Sequence, residues 1–233
     1  MTKQKARIIG LVYLLFFLTS ILSVAFLKGL IVKNDSAATA DAIVAHEGLF
    51  HLSVATGLIE TGFYIALAAL FYVLFRPVCR SLSLVAAFFG LVGCATQASG
   101  SVFRLFALAN LGNGGAGSIF SSNELSGRAV GMMFLKLNDQ VSSVALVFFG
   151  VYCLLIGILI LRSIFLPRFL GILMVLAGLG WLLFLYPPAA AQLFVFIAIV
   201  GIIAEALLMF WLLIMGVNTD RWQEQAAAQK LEP

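Results

Sequence analysis

The chain has 233 residues, 63% of them hydrophobic and 10% charged, with a formal net charge of +4. Average globular domains are about 45–50% apolar and about 25% charged, so this composition excludes an ordinary water-soluble domain and points to lipid as the solvent. The positive balance does not imply nucleic acid, because no basic face with stacking aromatics lies outside the apolar runs, and basic residues at helix ends serve topology.

Six apolar runs follow one another, at 7–32, 48–75, 82–109, 137–161, 169–186 and 189–217. Each reaches the roughly 17–25 residues with which a helix crosses a bilayer core about 30 Å thick. The backbone must satisfy its own hydrogen bonds in lipid, which selects helices. The expected fold is all-α, a polytopic membrane protein built as a bundle of six transmembrane helices over 1–217. A polar cytoplasmic tail over 218–233, expected to fray, completes the chain.

The first run has a basic start, and Ala38-Thr39-Ala40 resembles a signal-peptide cleavage site. Its apolar stretch of about 25 residues is far longer than an h-region of about 7–15, so a retained helix is expected. The outer connection 33–47 follows. In the second run Ser53, Gly57, Glu60 and Tyr64 recur on one helical stripe, and His46 falls near it when the helix is extended backward. The turn Arg76-Pro77-Val78-Cys79-Arg80 ends that run. In the third run Gln97, Ser101 and Arg104 share a face. A glycine-rich segment, Asn110 to Ser118, should form a mobile turn; it has no preceding strand and no Gly-Lys-Ser/Thr, so it is not a phosphate-binding loop. The stretch Leu125 to Leu137 either lies in the interface as an amphipathic helix or extends the fourth helix outward. Pro167 and the pair Pro187 and Pro188 mark the last boundaries.

Lys3, Lys5, Arg7, Arg76, Arg80, Arg162, Arg168, Arg221 and Lys230 share one side if the N-terminus is inside. Lys28, Lys33, Arg104, Arg128 and Lys136 fall on or near the other. The basic, tight turns favour cytoplasmic termini in a bacterial inner membrane.

Ionisable groups inside spans are costly and therefore the first functional candidates. At 1.5 Å per residue, Glu60 and Gln97 lie roughly 22 Å from the inner helix ends and Glu205 roughly 18 Å. No Lys or Arg shares that layer. Desolvation penalises a charged carboxylate, so at least one of Glu60 and Glu205 should be neutral or carry a proton or cation. The alternative for each is a structural hydrogen bond across helices. Ala198, Gly201 and Glu205 form a small-residue stripe that permits close helix approach. Arg104 and Asp139 lie roughly 33 Å from the inner ends. They are expected to form an ion pair, beside Lys136 and Asn138, either as a plain interfacial contact or as the mouth of a polar cavity. The ligand-binding candidates are therefore Glu60, Gln97, Arg104, Asp139 and Glu205, with His46, Ser53, Tyr64, Lys136 and Asn138 secondary.

Other chemistries fit poorly. His46 and His51 stand at i and i+5, about 140° apart on a helix, where a zinc helix needs i and i+4. Cys79, Cys94 and Cys153 make no CxxC pattern, so neither a disulfide nor a metal site is expected. Ser142 and Ser143 follow Asp139 without an assignable histidine. Trp181, Trp211, Trp222 and Tyr186 suit interfacial anchoring. No cofactor is expected.

Several motifs carry a resemblance. They are Ala6-Arg7-Ile8-Ile9-Gly10-Leu11-Val12-Tyr13-Leu14, Leu74-Phe75-Arg76-Pro77-Val78, Asn138-Asp139, Phe148-Phe149-Gly150 and Leu159-Ile160-Leu161-Arg162-Ser163. Leu166-Pro167-Arg168-Phe169-Leu170-Gly171 is the most specific. Ala177-Gly178-Leu179-Gly180, Glu205-Ala206-Leu207-Leu208 and Trp211-Leu212-Leu213-Ile214-Met215-Gly216-Val217 complete the set. Together they resemble the bacterial membrane-protein family called domain of unknown function 4386. The resemblance implies a small multi-pass bacterial membrane protein with Asp139 and Glu205 at motif positions, and implies no reaction. The third run departs from the family pattern, which has an arginine near that helix's start, so no role passes to Arg104.

The leading functional expectation is binding or transport of a small molecule or lipid-like ligand through an outward-opening polar cavity. Arg104 and Asp139 would gate it, Gln97 would contact the ligand, and Glu60 and Glu205 would respond to protons or cations. Transport would call for a homo-oligomer, since familiar secondary transporters use paired repeats. An intramembrane enzyme with Glu60 or Asp139 as acid or base is the second expectation. An accessory or sensor subunit with a membrane partner protein is the third. Membrane lipids are partners under all three.

Overall fold

The computed structural model describes residues 2–32, 35–112 and 124–229. The described residues form helices and no strand. They are α1 (Lys3–Leu27), α2 (Ser36–Ala45), α3 (Glu47–Phe75), α4 (Arg80–Leu111), α5 (Glu124–Arg162), α6 (Arg168–Leu182), α7 (Pro187–Ile214) and α8 (Thr219–Gln229), with a single 3-10 turn at Leu183–Leu185. Six of the helices are long and apolar enough to cross a membrane. The chain is an all-α, multi-pass membrane protein. Large apolar side chains such as Val24 (66% exposed), Val195 (69%) and Phe196 (68%) face outward, where lipid rather than water can receive them.

Helix ends follow local chemistry. α1 stops at Leu27, short of the expected end, because Gly29 takes φ of 90° and turns the chain. Asp35 then caps α2, its side chain accepting from the Ala38 amide at 2.8 Å. This helix was not legible as an element, and Ala38-Thr39-Ala40 lies inside it. Pro167 is the N-cap of α6, and Pro187 opens α7. α5 settles the choice for Leu125 to Leu137: the stretch is continuous with the fourth spanning helix. Its 39 residues are roughly 58 Å long, well beyond a bilayer core. Of the expected glycine-rich turn, Asn113 to Ser118 lie outside the described residues.

The chain divides into two compact units. The first comprises Met1–Leu15, Phe63–Cys94 and Val144–Pro233. Its core includes Tyr13, Leu67, Phe71, Phe75, Ile156, Leu170 and Leu208, all buried. Here α5 and α6 touch backbone to backbone. A Cβ added at Gly178 would come within 2.7 Å of the Gly150 carbonyl oxygen, and one at Gly157 within 2.9 Å of the Gly171 carbonyl. Small residues are what allow such an approach between membrane helices. The Gly201 position of the small-residue stripe receives the Trp181 ring, whose nearest atom would lie 2.7 Å from an added Cβ. Trp181 is thus packed between helices rather than serving only as an anchor.

The C-terminal segment does not fray through α8. The Trp222 indole N–H donates to the Leu74 carbonyl at 2.9 Å, and the Gln225 side chain donates to the Arg162 carbonyl and accepts from the Ile164 amide. These bonds satisfy carbonyls that the ends of α3 and α5 leave unpaired.

The second unit comprises Phe16–Gly62 and Ala95–Ser143. Its core joins Leu30, Ile43, Phe50, Val54, Ala107, Leu108, Leu111 and Leu135. α4 and α5 meet closely at Gly131, where a Cβ would fall 3.1 Å from the Ala107 carbonyl oxygen.

Candidate functional site

The second unit holds a cavity of about 570 Å³. Leu27, Ile31, Phe50, Met132 and Leu135 give it an apolar wall, and Arg104, Lys136, Asn138, Asp139, Asp35, Ser36 and Thr39 give it polar groups. The wall exists because the chain turns after α1 and α2 folds back. The Thr39 hydroxyl fixes that turn, accepting from the Val32 amide at 3.0 Å and donating to the Asp35 carbonyl at 2.8 Å.

Arg104 is the central cation. It is half-buried on α4, its guanidinium donates to the Ser53 hydroxyl, and it lies 5.2 Å from the centre of the Phe50 ring. Ser53 is buried and donates in turn to the Phe50 carbonyl at 2.7 Å. The expected Arg104–Asp139 ion pair is not formed. Asp139 is exposed on α5 and accepts from Asn138 at 3.3 Å. Depth along a helix places two residues in one layer, but rotation about the axis decides whether they meet, and α4 turns Arg104 toward α3. Arg104 still feels both Asp139 and Glu60 electrostatically. An ion pair in this unit joins Arg128 to Asp41 at 2.8 Å.

Glu60 is half-buried on α3, hydrogen-bonded to Ser20 of α1. Beside it Ser23 donates to the Ser53 carbonyl at 3.0 Å, so α1 and α3 share a small polar seam. Gln97 is half-buried and stands outside the cavity wall. His46 ends α2, its ring Nδ1 3.2 Å from the Ala42 carbonyl oxygen, while His51 lies 3.6 Å from Glu47. The two histidines therefore take separate partners.

Glu205 belongs to the first unit, so the five leading candidates do not make one constellation within a unit. Glu205 is half-buried on α7. The Tyr13 hydroxyl hydrogen-bonds to it, and the Cys153 thiol lies 3.9 Å from its Oε1. Tyr64 and Tyr152, both buried, stand in the same cluster with ring centres 5.6 Å apart. Tyr13, Tyr152 and Cys153 escaped the sequence reading, since each looks like core filling in an apolar run. A signal was present: tyrosines in mid-span, away from any interface, need a polar partner.

Six helices long and apolar enough to cross a membrane define a polytopic helical membrane protein. The model of the domain of unknown function DUF4386 matches residues 8–216, and the chain belongs to that family. No curated protein and no solved structure matches the chain.

Proposed function

We propose that this protein binds a small amphipathic or lipid-like molecule in the second unit, with an anionic group held by Arg104 and Lys136 and an apolar part against Phe50, Met132 and Leu135. The observation that carries this reading is the convergence of these groups on one cavity of about 570 Å³. That volume falls within the roughly 300–1,000 Å³ of small-molecule sites. Arg104 suits the task because Ser53 and Phe50 hold its guanidinium in place while other N–H groups stay available. Asn138 and Asp139 add acceptors and donors for a second polar group. With both termini cytoplasmic in a bacterial inner membrane, as the basic turns favour, the cavity opens outward.

Native mass spectrometry of detergent-purified protein tests this. Wild type should retain a small molecule or lipid that Arg104→Gln loses and Gln97→Leu keeps. A bare monomer in wild type, after purification with its native lipids, rejects the binding reading and favours an accessory subunit.

A further inference from the structure

The first unit contains a second cavity of about 440 Å³, where α7 ends and α8 begins beside the start of α1. The turn that shapes it is well defined. The Gly216 amide donates to the Trp211 carbonyl at 3.0 Å, and Gly216 takes φ of 70°, reversing the chain as helix C-caps do. Arg7 donates to the Ile214 carbonyl at 3.2 Å, which ties α1 to the same helix end. Asn218 then starts α8, its side chain accepting from the Arg221 amide at 3.1 Å.

The lining has two chemistries. Phe165, Trp211 and Met215 supply an apolar side, and Met215 is 58% exposed. Lys3, Thr219 and Asp220 supply the polar side. Lys3 and Asp220 carry opposite charges on one cavity, yet they form no ion pair with each other or with another described residue. The cavity also lies where the spanning helices α1 and α7 begin and end, the level at which a bilayer crossed by such helices has its headgroups. A ligand that complements it carries an anion for Lys3, a hydrogen-bonding cation for Asp220, and a chain for the Trp211 side.

We infer that this cavity is a binding site for a phospholipid whose headgroup pairs a phosphate with a primary ammonium, as in phosphatidylethanolamine. The phosphate meets Lys3 and the Thr219 hydroxyl, the ammonium donates to Asp220, and an acyl chain lies along Trp211 and Met215. A phosphatidylcholine headgroup has the same charges but no N–H to donate. A phosphatidylglycerol headgroup has the anion without the ammonium.

The test is native mass spectrometry of the delipidated, full-length protein in detergent. Equal amounts of phosphatidylethanolamine, phosphatidylcholine and phosphatidylglycerol with identical acyl chains are added. The ethanolamine lipid should be retained roughly tenfold over the choline lipid, the scale of one charge-assisted hydrogen bond. Asp220→Asn should erase that preference, and Lys3→Gln should weaken all three lipids. Equal retention of the three by wild type overturns the inference, as does a preference for phosphatidylglycerol, which would mark simple attraction of anions. A preference that survives Asp220→Asn also overturns it. The wild-type comparison stands even if a variant folds poorly, and none of these residues lines the Arg104 cavity, so the two proposals fail separately.

Discussion

The indole of Trp222 reaches the carbonyl of Leu74, residues 148 positions apart in sequence, at 2.9 Å. Leu74 is in the last turn of α3, where carbonyls lack helical partners, and its side chain is fully buried. One hydrogen bond therefore fastens a polar helix to the end of a spanning one. Trp222→Phe keeps most of the ring and removes the donor, at a cost of about 1 kcal/mol. Amide exchange across α8 should rise several-fold while the spans stay protected. Unchanged exchange in α8 would show that other contacts hold it.

α8 also marks where sequence reading stops. The six spans were legible because about twenty consecutive apolar residues have few other uses. Pro77 and Pro167 announced their boundaries for the same local reason. α8 has no apolar run, and its anchoring depends on carbonyls of α3 and α5 that only the tertiary arrangement brings near. The site divides similarly. Arg104, Lys136 and Asp139, with Asn138 beside them, stood out as candidates because charge inside or beside a span is rare. That Arg104 meets Ser53 and not Asp139 is a matter of helix rotation, which depth alone does not encode. Tyr13 and Tyr152 were hidden by being ordinary aromatic residues in apolar runs.

The Arg104 arrangement predicts coupling. Ser53 accepts from the guanidinium and Phe50 lies under it, so removing either leaves a half-buried cation less well held. Ser53→Ala and Arg104→Gln should each destabilise the protein by about 1–3 kcal/mol. Their combination should fall short of additivity by about 1 kcal/mol, because the second change removes a group already without its partner. Thermal unfolding of the four proteins in one detergent measures the cycle. Strict additivity would mean that the contact contributes nothing.

The cysteines report on burial. Cys94 and Cys153 are each 1% exposed, whereas Cys79 sits half-exposed in the turn between α3 and α4. Reaction with a maleimide requires a thiolate and access, and lipid-embedded packing denies both. In folded protein Cys79 should be labelled and the other two spared, with all three reacting after denaturation. Peptide mass analysis reads the result. Fast labelling of Cys153 in the native state would mean that water reaches the Glu205 cluster.

Glycines give the sharpest contrast within the spans. At Gly178 a methyl group would meet the Gly150 carbonyl oxygen at 2.7 Å and the Leu154 amide nitrogen at 2.7 Å. Both obstacles are backbone, so no side chain can swing aside, and the α5–α6 contact must open. Gly178→Ala should cost about 1–3 kcal/mol, the usual range for overpacking. Gly62, within α3, has nothing within 4 Å of an added Cβ. There alanine only restricts the unfolded chain and favours the helix, so Gly62→Ala should be neutral or stabilising by about 0.5–1 kcal/mol. Thermal unfolding of both variants beside wild type tests the pair. Equal destabilisation would mean that close approach of α5 and α6 does not set the response at these positions, and stabilisation of both would mean that helix propensity does; the opposite signs expected here locate the strain at the helix contact.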